Sequence, residues 1–117
     1  MLQGSWTLVS GEQDGVEIPA ADLDEYHLTI TGNRHLVQWA GAVLEGTHTI
    51  DESQTPIAID SADSVGPFEG MSLKGIVELD GNQLNICFAA PGQPRPTEFT
   101  TRDNKATVLH RWKRQDQ

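Results

Sequence analysis

The sequence predicts an all-β fold, a single antiparallel up-and-down β-barrel of about eight to ten short strands with at most one short helix. Apolar and polar residues alternate along most of the chain, which is typical of strands with one face in a core. Turn residues separate these runs at short intervals. A tryptophan also stands close to the N-terminus, where chains fray unless packing holds them. We therefore expect the first strand to lie inside the core.

The alternation assigns a core face to four strands after the first. In EYHLTIT, VLEGTHTI, NQLNICFA and TVLHRWK every second residue shares a face. The other face of each strand is expected to meet water. The residues predicted to face inward are Tyr26, Leu28 and Ile30, then Leu44, Gly46, His48 and Ile50, then Leu84, Ile86 and Phe88, and finally Val108, His110 and Trp112.

Turn signals place the hairpins that join these strands. TGN at 31–33 and LDGN at 79–82 each lie between two alternating runs, and Gly and Asn accept the positive φ of tight hairpin turns. PAADLDEY at 19–26 is the best helix candidate, of one or two turns, with a loop as the alternative. A sandwich or a barrel would hide the sheet edges at this length, and hairpins between chain neighbours favour the barrel.

Composition limits the classes of partner. The 117 residues suit one domain spanning 1–117, and the net charge of −9 argues against nucleic acid. No apolar run is long enough for a membrane span. The start MLQGSW lacks the pattern of a signal peptide. We therefore expect either a cytoplasmic protein or one whose leader has been removed. Cys87, the single cysteine, is expected to be a small buried hydrophobe.

Two features resemble the lipocalin and calycin barrels. LQGSW contains a Gly-x-Trp pattern, Gly4 to Trp6, and the chain closes on HRWKR at 110–114. The resemblance implies that Trp6 plugs one end of the barrel under a basic side chain of the last strand, Arg114 or, failing that, Arg111. A guanidinium on an indole face is favourable by about 0.5–2 kcal/mol, and this contact would join the chain ends.

Nearly the whole chain is similar to a family of small uncharacterised lipocalin-like bacterial proteins common in planctomycetes. The matching segments are LQGSWTLVSGEQDG (2–15), PIAID (56–60), KGIVELDGNQLNICFA (74–89), RPTEF (95–99) and WKR (112–114). The chain departs from the family pattern at Val77, where an aromatic residue is expected, and at Asn82, where Asp is usual. The resemblance implies a lipocalin-like barrel, and it brings no established activity and no catalytic residues.

A barrel of eight strands is either filled by its side chains or holds one small ligand. The candidates for contact with a small apolar ligand, in the cavity or at its rim, are Tyr26, Trp39, His48, Phe88, Arg95 and His110. Gly46 and Gly75, on inward positions, would leave some room. Pro94 and Pro96 flank Arg95 and stiffen the chain around it, so that this residue either shapes a loop or meets an anionic ligand.

The chemistry-bearing residues leave three functions open. A non-enzymatic binding protein, for a small ligand or for a protein partner at the rim, is the first. An enzyme with acid–base chemistry through His48 or His110 is the second, and a filled interaction module is the third. The four histidines lie on separate strands without close HxH or HxxxH spacing. We therefore assign no metal, no cofactor and no catalytic residue.

Overall fold

A computed structural model describes residues 3–13, 15–19, 26–39, 41–66, 69–101 and 107–115. Nine strands lie in these segments. They are β1 (Gly4–Gln13), β2 (Val16–Glu17), β3 (His27–Thr31), β4 (Arg34–Trp39), β5 (Ala42–Asp51), β6 (Ile57–Val65), β7 (Ser72–Asp80), β8 (Gln83–Ala89) and β9 (Thr107–Arg114). The described segments contain no helix. Most of the predicted helix at 19–26 lies outside the described residues.

The sheet closes on itself, which confirms the predicted barrel. Its order is β2-β1-β3-β4-β5-β6-β7-β8-β9, every pairing is antiparallel, and β1 also pairs with β9. The closing register runs from Trp6 opposite Arg114 to Gln13 opposite Val108. Eight strands thus form the barrel, and the short β2 adds to one end of β1. Closure leaves those eight strands without a free edge.

Tight turns at glycine join the strands of two predicted hairpins. Gly32 lies between β3 and β4, Gly81 lies between β7 and β8, and both have φ of 60°. This left-handed conformation costs glycine little because it has no Cβ. The turns predicted from TGN and LDGN therefore lie where the sequence places them.

Buried side chains fill one end of the barrel. Trp6 and Leu84 are fully buried there, and Leu8 and Val77 pack beside them. Leu28, Ile30, Ile59, Ile86 and Trp112 continue the same cluster and also line the cavity above it. The inward faces predicted for β3, β5, β8 and β9 are those that contribute to this core and cavity. The other end of the interior contains the cavity.

Part of the outer surface of the barrel is buried, which alternation alone does not predict. Ile76, Cys87 and Leu109 form a second apolar cluster on β7, β8 and β9, with Phe99 packed against it. The segment 90–101 supplies that cover. Its end is held at Thr101, whose hydroxyl donates to Glu12 Oε1 at 2.7 Å. Burial raises the pKa of the Cys87 thiol, so this residue is an inert apolar side chain, as expected.

Candidate ligand cavity

The barrel encloses a cavity of about 470 Å³, within the roughly 300–1,000 Å³ of small-molecule pockets. The interior is therefore not filled by its own side chains. Most of the wall is aliphatic or aromatic, and the polar groups are few. The lining residues are Gln13, Ile18, Tyr26, Leu28, Ile30, His35, Val37, Trp39, Leu44, His48, Ile59, Ser61, Asp63, Leu73, Ile86, Phe88, Ala89, Ala90, Val108, His110 and Trp112.

Aromatic rings form part of the wall. The rings of Tyr26 and Trp39 stack with centroids 5.9 Å apart and planes 5° from parallel. Phe88 lies across Gly75, its partner on β7, where an added Cβ would come within 2.6 Å of the ring. Three of the six ligand candidates therefore line the cavity as flat apolar surfaces, which suit an apolar ligand.

The polar part of the wall is built across three strands. His35 on β4 pairs with Gly46 on β5, and Gly46 pairs with Asp63 on β6. Because Gly46 has no side chain, His35 reaches over it and places Nε2 at 2.9 Å from Asp63 Oδ1. An added Cβ on Gly46 would lie 2.7 Å from that carboxylate oxygen. The absence of a side chain on Gly46 thus leaves room for the contact between His35 and Asp63.

His48 extends this contact into a chain of three side chains, Asp63–His35–His48. Nδ1 of His35 and Nδ1 of His48 are 3.1 Å apart, and the two rings stack with centroids separated by 5.3 Å. Ser61, opposite His48 on β6, donates from its hydroxyl to Asp63 Oδ1 at 3.4 Å. We call these four residues the polar cluster.

The surroundings of the polar cluster disfavour a positive charge on His48. Burial lowers the pKa of His48, and the neighbouring His35 lowers it further. His48 is therefore neutral at pH 7. The Asp63 side chain is only 2% exposed and faces His35. A buried carboxylate needs such a partner, because an unpaired buried charge is strongly unfavourable.

His110 is a second imidazole in the cavity wall, separate from the polar cluster. It lies on β9 opposite Gly11, and its ring meets Trp112 edge to face with centroids 5.8 Å apart. Burial lowers the pKa of His110 to about 4. The side chain is therefore neutral over the physiological range and acts as a neutral hydrogen-bonding group.

Arg95 lies away from the cavity lining. Its Nη1 donates to the carbonyl oxygens of Ile59 on β6 and Gly75 on β7, at 3.0 and 2.8 Å. Its Nη2 donates to Asp60 Oδ1 at 2.6 Å. The sequence leaves two roles open for Arg95, contact with an anionic ligand or the shaping of a loop. The observed contacts support the second role, because they attach the segment 90–101 to β6 and β7.

The chain ends meet at the opposite end of the barrel from the cavity. The Arg114 guanidinium lies 4.2 Å above the centroid of the Trp6 ring and donates to the carbonyl oxygen of Gln3. Gly4 has φ of 136°, and an added Cβ would lie 2.5 Å from Arg114 Nη1. Arg111 faces the other side of β9 from Trp112, because the two are adjacent in a strand.

No protein-family model matches the chain, and no curated protein is significantly similar to it. The described residues include no group of three or more His, Cys, Asp or Glu side chains arranged to hold a metal ion. In the part of the chain that the structure describes, no helix has the length and apolarity to cross a membrane.

Sequence reasoning missed three members of the polar cluster. His35, Ser61 and Asp63 were not among the predicted site residues, whereas His48 was. His35 shares the parity of Trp39 in RHLVQW, so the strand pattern carried a signal that it points inward. The contact between His35 and Asp63 had no such signal, because it depends on the register of three strands.

Proposed function

We propose that this protein is a non-enzymatic binding protein that holds a small, mainly apolar molecule in the barrel cavity. The observation that carries the proposal is the cavity of about 470 Å³ with its largely apolar wall. An apolar pocket of this size favours a ligand by removing apolar surface from water. Tyr26, Trp39 and Phe88 supply the flat surfaces, and the polar cluster supplies orientation.

Membership of the lipocalin-like bacterial family is part of the same proposal. The closed barrel supports it, as do the contacts among Gly4, Trp6 and Arg114 at the chain ends. The resemblance contributes a binding scaffold and leaves the ligand to be argued from the cavity itself.

Binding is tested with N-phenyl-1-naphthylamine, an uncharged apolar fluorophore. We expect its emission to rise on titration with the protein. Leu44→Trp places a larger side chain on the cavity wall and should weaken binding by about tenfold or more, by filling space that the probe needs. Val43→Trp is the matched control, because Val43 is the adjacent residue, is 38% exposed and does not line the cavity. Equal effects of the two substitutions, or no binding by the wild type, would contradict the proposal.

A specific observation favours an acid–base enzyme as a second candidate. The Asp63–His35–His48 chain can move a proton away from the cavity. A substrate C–H bond next to a carbonyl would break and give its proton to His48 Nε2, leaving the electron pair as an enolate. His48 would then pass its Nδ1 proton to His35 Nδ1, where the imidazolium faces Asp63. In a substrate whose enolate is conjugated with a further C=C bond, return of the proton from His48 Nε2 to the far carbon of the dienolate would complete an isomerisation.

The enzyme candidate is tested by exchange of carbonyl-adjacent protons in D2O. We expect deuterium uptake by 2-decalone, followed by NMR, to exceed the buffer rate. His48→Phe should abolish the excess because it removes the base, whereas His110→Phe should retain it. Exchange at the buffer rate for the wild type, or equal loss in both variants, would exclude this candidate for ketones of that size.

A further inference from the structure

We propose that the cavity selects a neutral ligand carrying a hydrogen-bond donor, an alcohol or a phenol, and holds that donor on Nε2 of His48. The inference rests on the proposed binding function, because it specifies the ligand of the same cavity. Its basis is the direction in which hydrogen bonds run from Asp63 through His35 to His48.

The direction follows from which atoms can donate. An ionised carboxylate only accepts hydrogen bonds, so the proton between Asp63 and His35 belongs to His35 Nε2. When His35 is in its neutral form, this proton is its single N–H, and Nδ1 of His35 is then an acceptor. His48 Nδ1, at 3.1 Å, must donate to it. The single N–H of His48 is thus used, and its Nε2 is left as an acceptor.

Nε2 of His48 is open to a ligand. None of the described groups makes a hydrogen bond with it, whereas every fully buried side-chain nitrogen or oxygen in the described segments has a partner. The atom is therefore reached by solvent, and His48 lines the cavity. A purely apolar ligand that displaces water from it would leave the acceptor unpaired, which is unfavourable. A ligand hydroxyl would replace that water.

The charge around the site disfavours an anion. Asp63 is a buried carboxylate, and no Lys or Arg side chain lies among the cavity-lining residues that the structure describes. A ligand carboxylate would meet an acceptor nitrogen at His48 with a negative charge behind it. The polar cluster therefore favours a neutral hydroxyl over the carboxylate of a fatty acid.

His110 cannot provide the same selection. Within the described residues no hydrogen bond holds either of its ring nitrogens, so the neutral ring can present a donor or an acceptor by changing tautomer. A ligand alcohol, ether or acid would each find a match there. His110 is thus the natural control for His48, since both are neutral imidazoles in one cavity.

The test compares decanol, methyl nonyl ether and decanoate, three probes of similar length, by isothermal titration with the full chain. The measurements are made at pH 8, above the ordinary titration range of imidazole. We expect decanol to bind about tenfold more tightly than the ether, since one hydrogen bond separates them. Decanoate should bind more weakly than either. These three titrations use the wild-type chain alone, so their outcome does not depend on the folding of a variant.

Two variants test which histidine causes the preference for decanol over the ether. His48→Phe should reduce the preference for decanol over the ether to less than about twofold, because the acceptor is gone. His110→Phe should keep the preference. Equal affinities for the alcohol and the ether, tightest binding of decanoate, or loss of selection in H110F with retention in H48F would each overturn the inference. If N-phenyl-1-naphthylamine binds but the probes show no selection, the inference fails while the binding function stands. If neither N-phenyl-1-naphthylamine nor any of the three probes binds, the inference and the proposed binding function both fail.

Discussion

Gly46 and Gly75 show how a missing side chain acts inside a barrel. The sequence predicts that both leave room in the cavity. In the structure that room is used by neighbours, because Phe88 lies over Gly75 and His35 crosses Gly46 to reach Asp63. A β-bulge beside Gly46, where β5 and β6 change register, brings Asp63 to this position. The two glycines therefore shape the wall rather than enlarge the cavity.

His110 makes stability depend on pH. Its pKa falls from 6.5 to about 4 on folding, so the unfolded chain binds more protons below pH 6.5. The stability that the chain gains from a neutral His110 is fully present above pH 6.5 and is lost as the pH falls towards 4. The free energy of unfolding decreases by at most about 3 kcal/mol over this range. The ring is partly exposed, and a smaller loss is expected. The lowered pKa of His48 acts in the same direction.

Urea unfolding at pH 7 and pH 4.5 measures this effect. In His110→Phe the decrease in the free energy of unfolding between the two pH values should be smaller than in the wild type by about 1–2 kcal/mol. His27→Gln, at an exposed position of β3, is the control and should leave the decrease unchanged. An equal decrease in the wild type and in H110F would show that burial of His110 does not cause the loss of stability at low pH.

At the scale of elements, the segment 90–101 acts as an outer layer on the barrel. It covers the apolar cluster of Ile76, Cys87 and Leu109 with Phe99 and bonds to two strands through Arg95. Pro94 and Pro96 lack backbone donors and stiffen the approach on either side of Arg95. The alternation of β8 predicts its inner face correctly, but it cannot show that a later segment returns to bury the outer face.

Replacement of Arg95 tests the strength of this attachment. Arg95→Ala should lower the free energy of unfolding by about 1.5–3 kcal/mol, because two backbone carbonyls lose a charged donor. Asp60→Ala should cost less than about 1 kcal/mol, since the Asp60 side chain is 56% exposed and surface ion pairs contribute little. Denaturant unfolding compares the two variants. An equal loss in D60A would place the main contribution in the ion pair instead of in the bonds to β6 and β7.

At the scale of the molecule, closure depends on the pairing of the first and last strands. β1 and β9 join from Trp6 to Gln13, and Arg114 lies over the buried Trp6 ring. Gly4 is required there because the guanidinium occupies the space of a Cβ and the backbone has a positive φ. The GSW pattern near the N-terminus thus belongs to a buried contact between the two chain ends.

Closure can be tested by separating the indole from the guanidinium. Trp6→Ala should lower the free energy of unfolding by about 3–5 kcal/mol, as for other buried aromatic residues. Arg114→Gln should cost about 0.5–2 kcal/mol, the range of a cation–π contact. Arg111→Gln, on the other face of β9, should cost less than Arg114→Gln. A larger loss in R111Q than in R114Q would show that the Trp6 contact is not what joins the ends.

The sequence alone determined the all-β class, the inward faces of β3, β5, β8 and β9, and the hairpins at Gly32 and Gly81. These features are local, because a period of two and a positive-φ turn are set by neighbours in the chain. It also indicated His48 and His110 as inward residues, since parity is a local property as well.

The tertiary structure decided what those residues meet. Asp63, His35 and His48 come together because three strand registers and a bulge at Gly46 align them. The volume of the cavity above the core depends on the sum of all inward side chains and on the curvature of the closed sheet. Both are properties of contacts between distant segments, and a pattern along one strand carries no information about its partners' register.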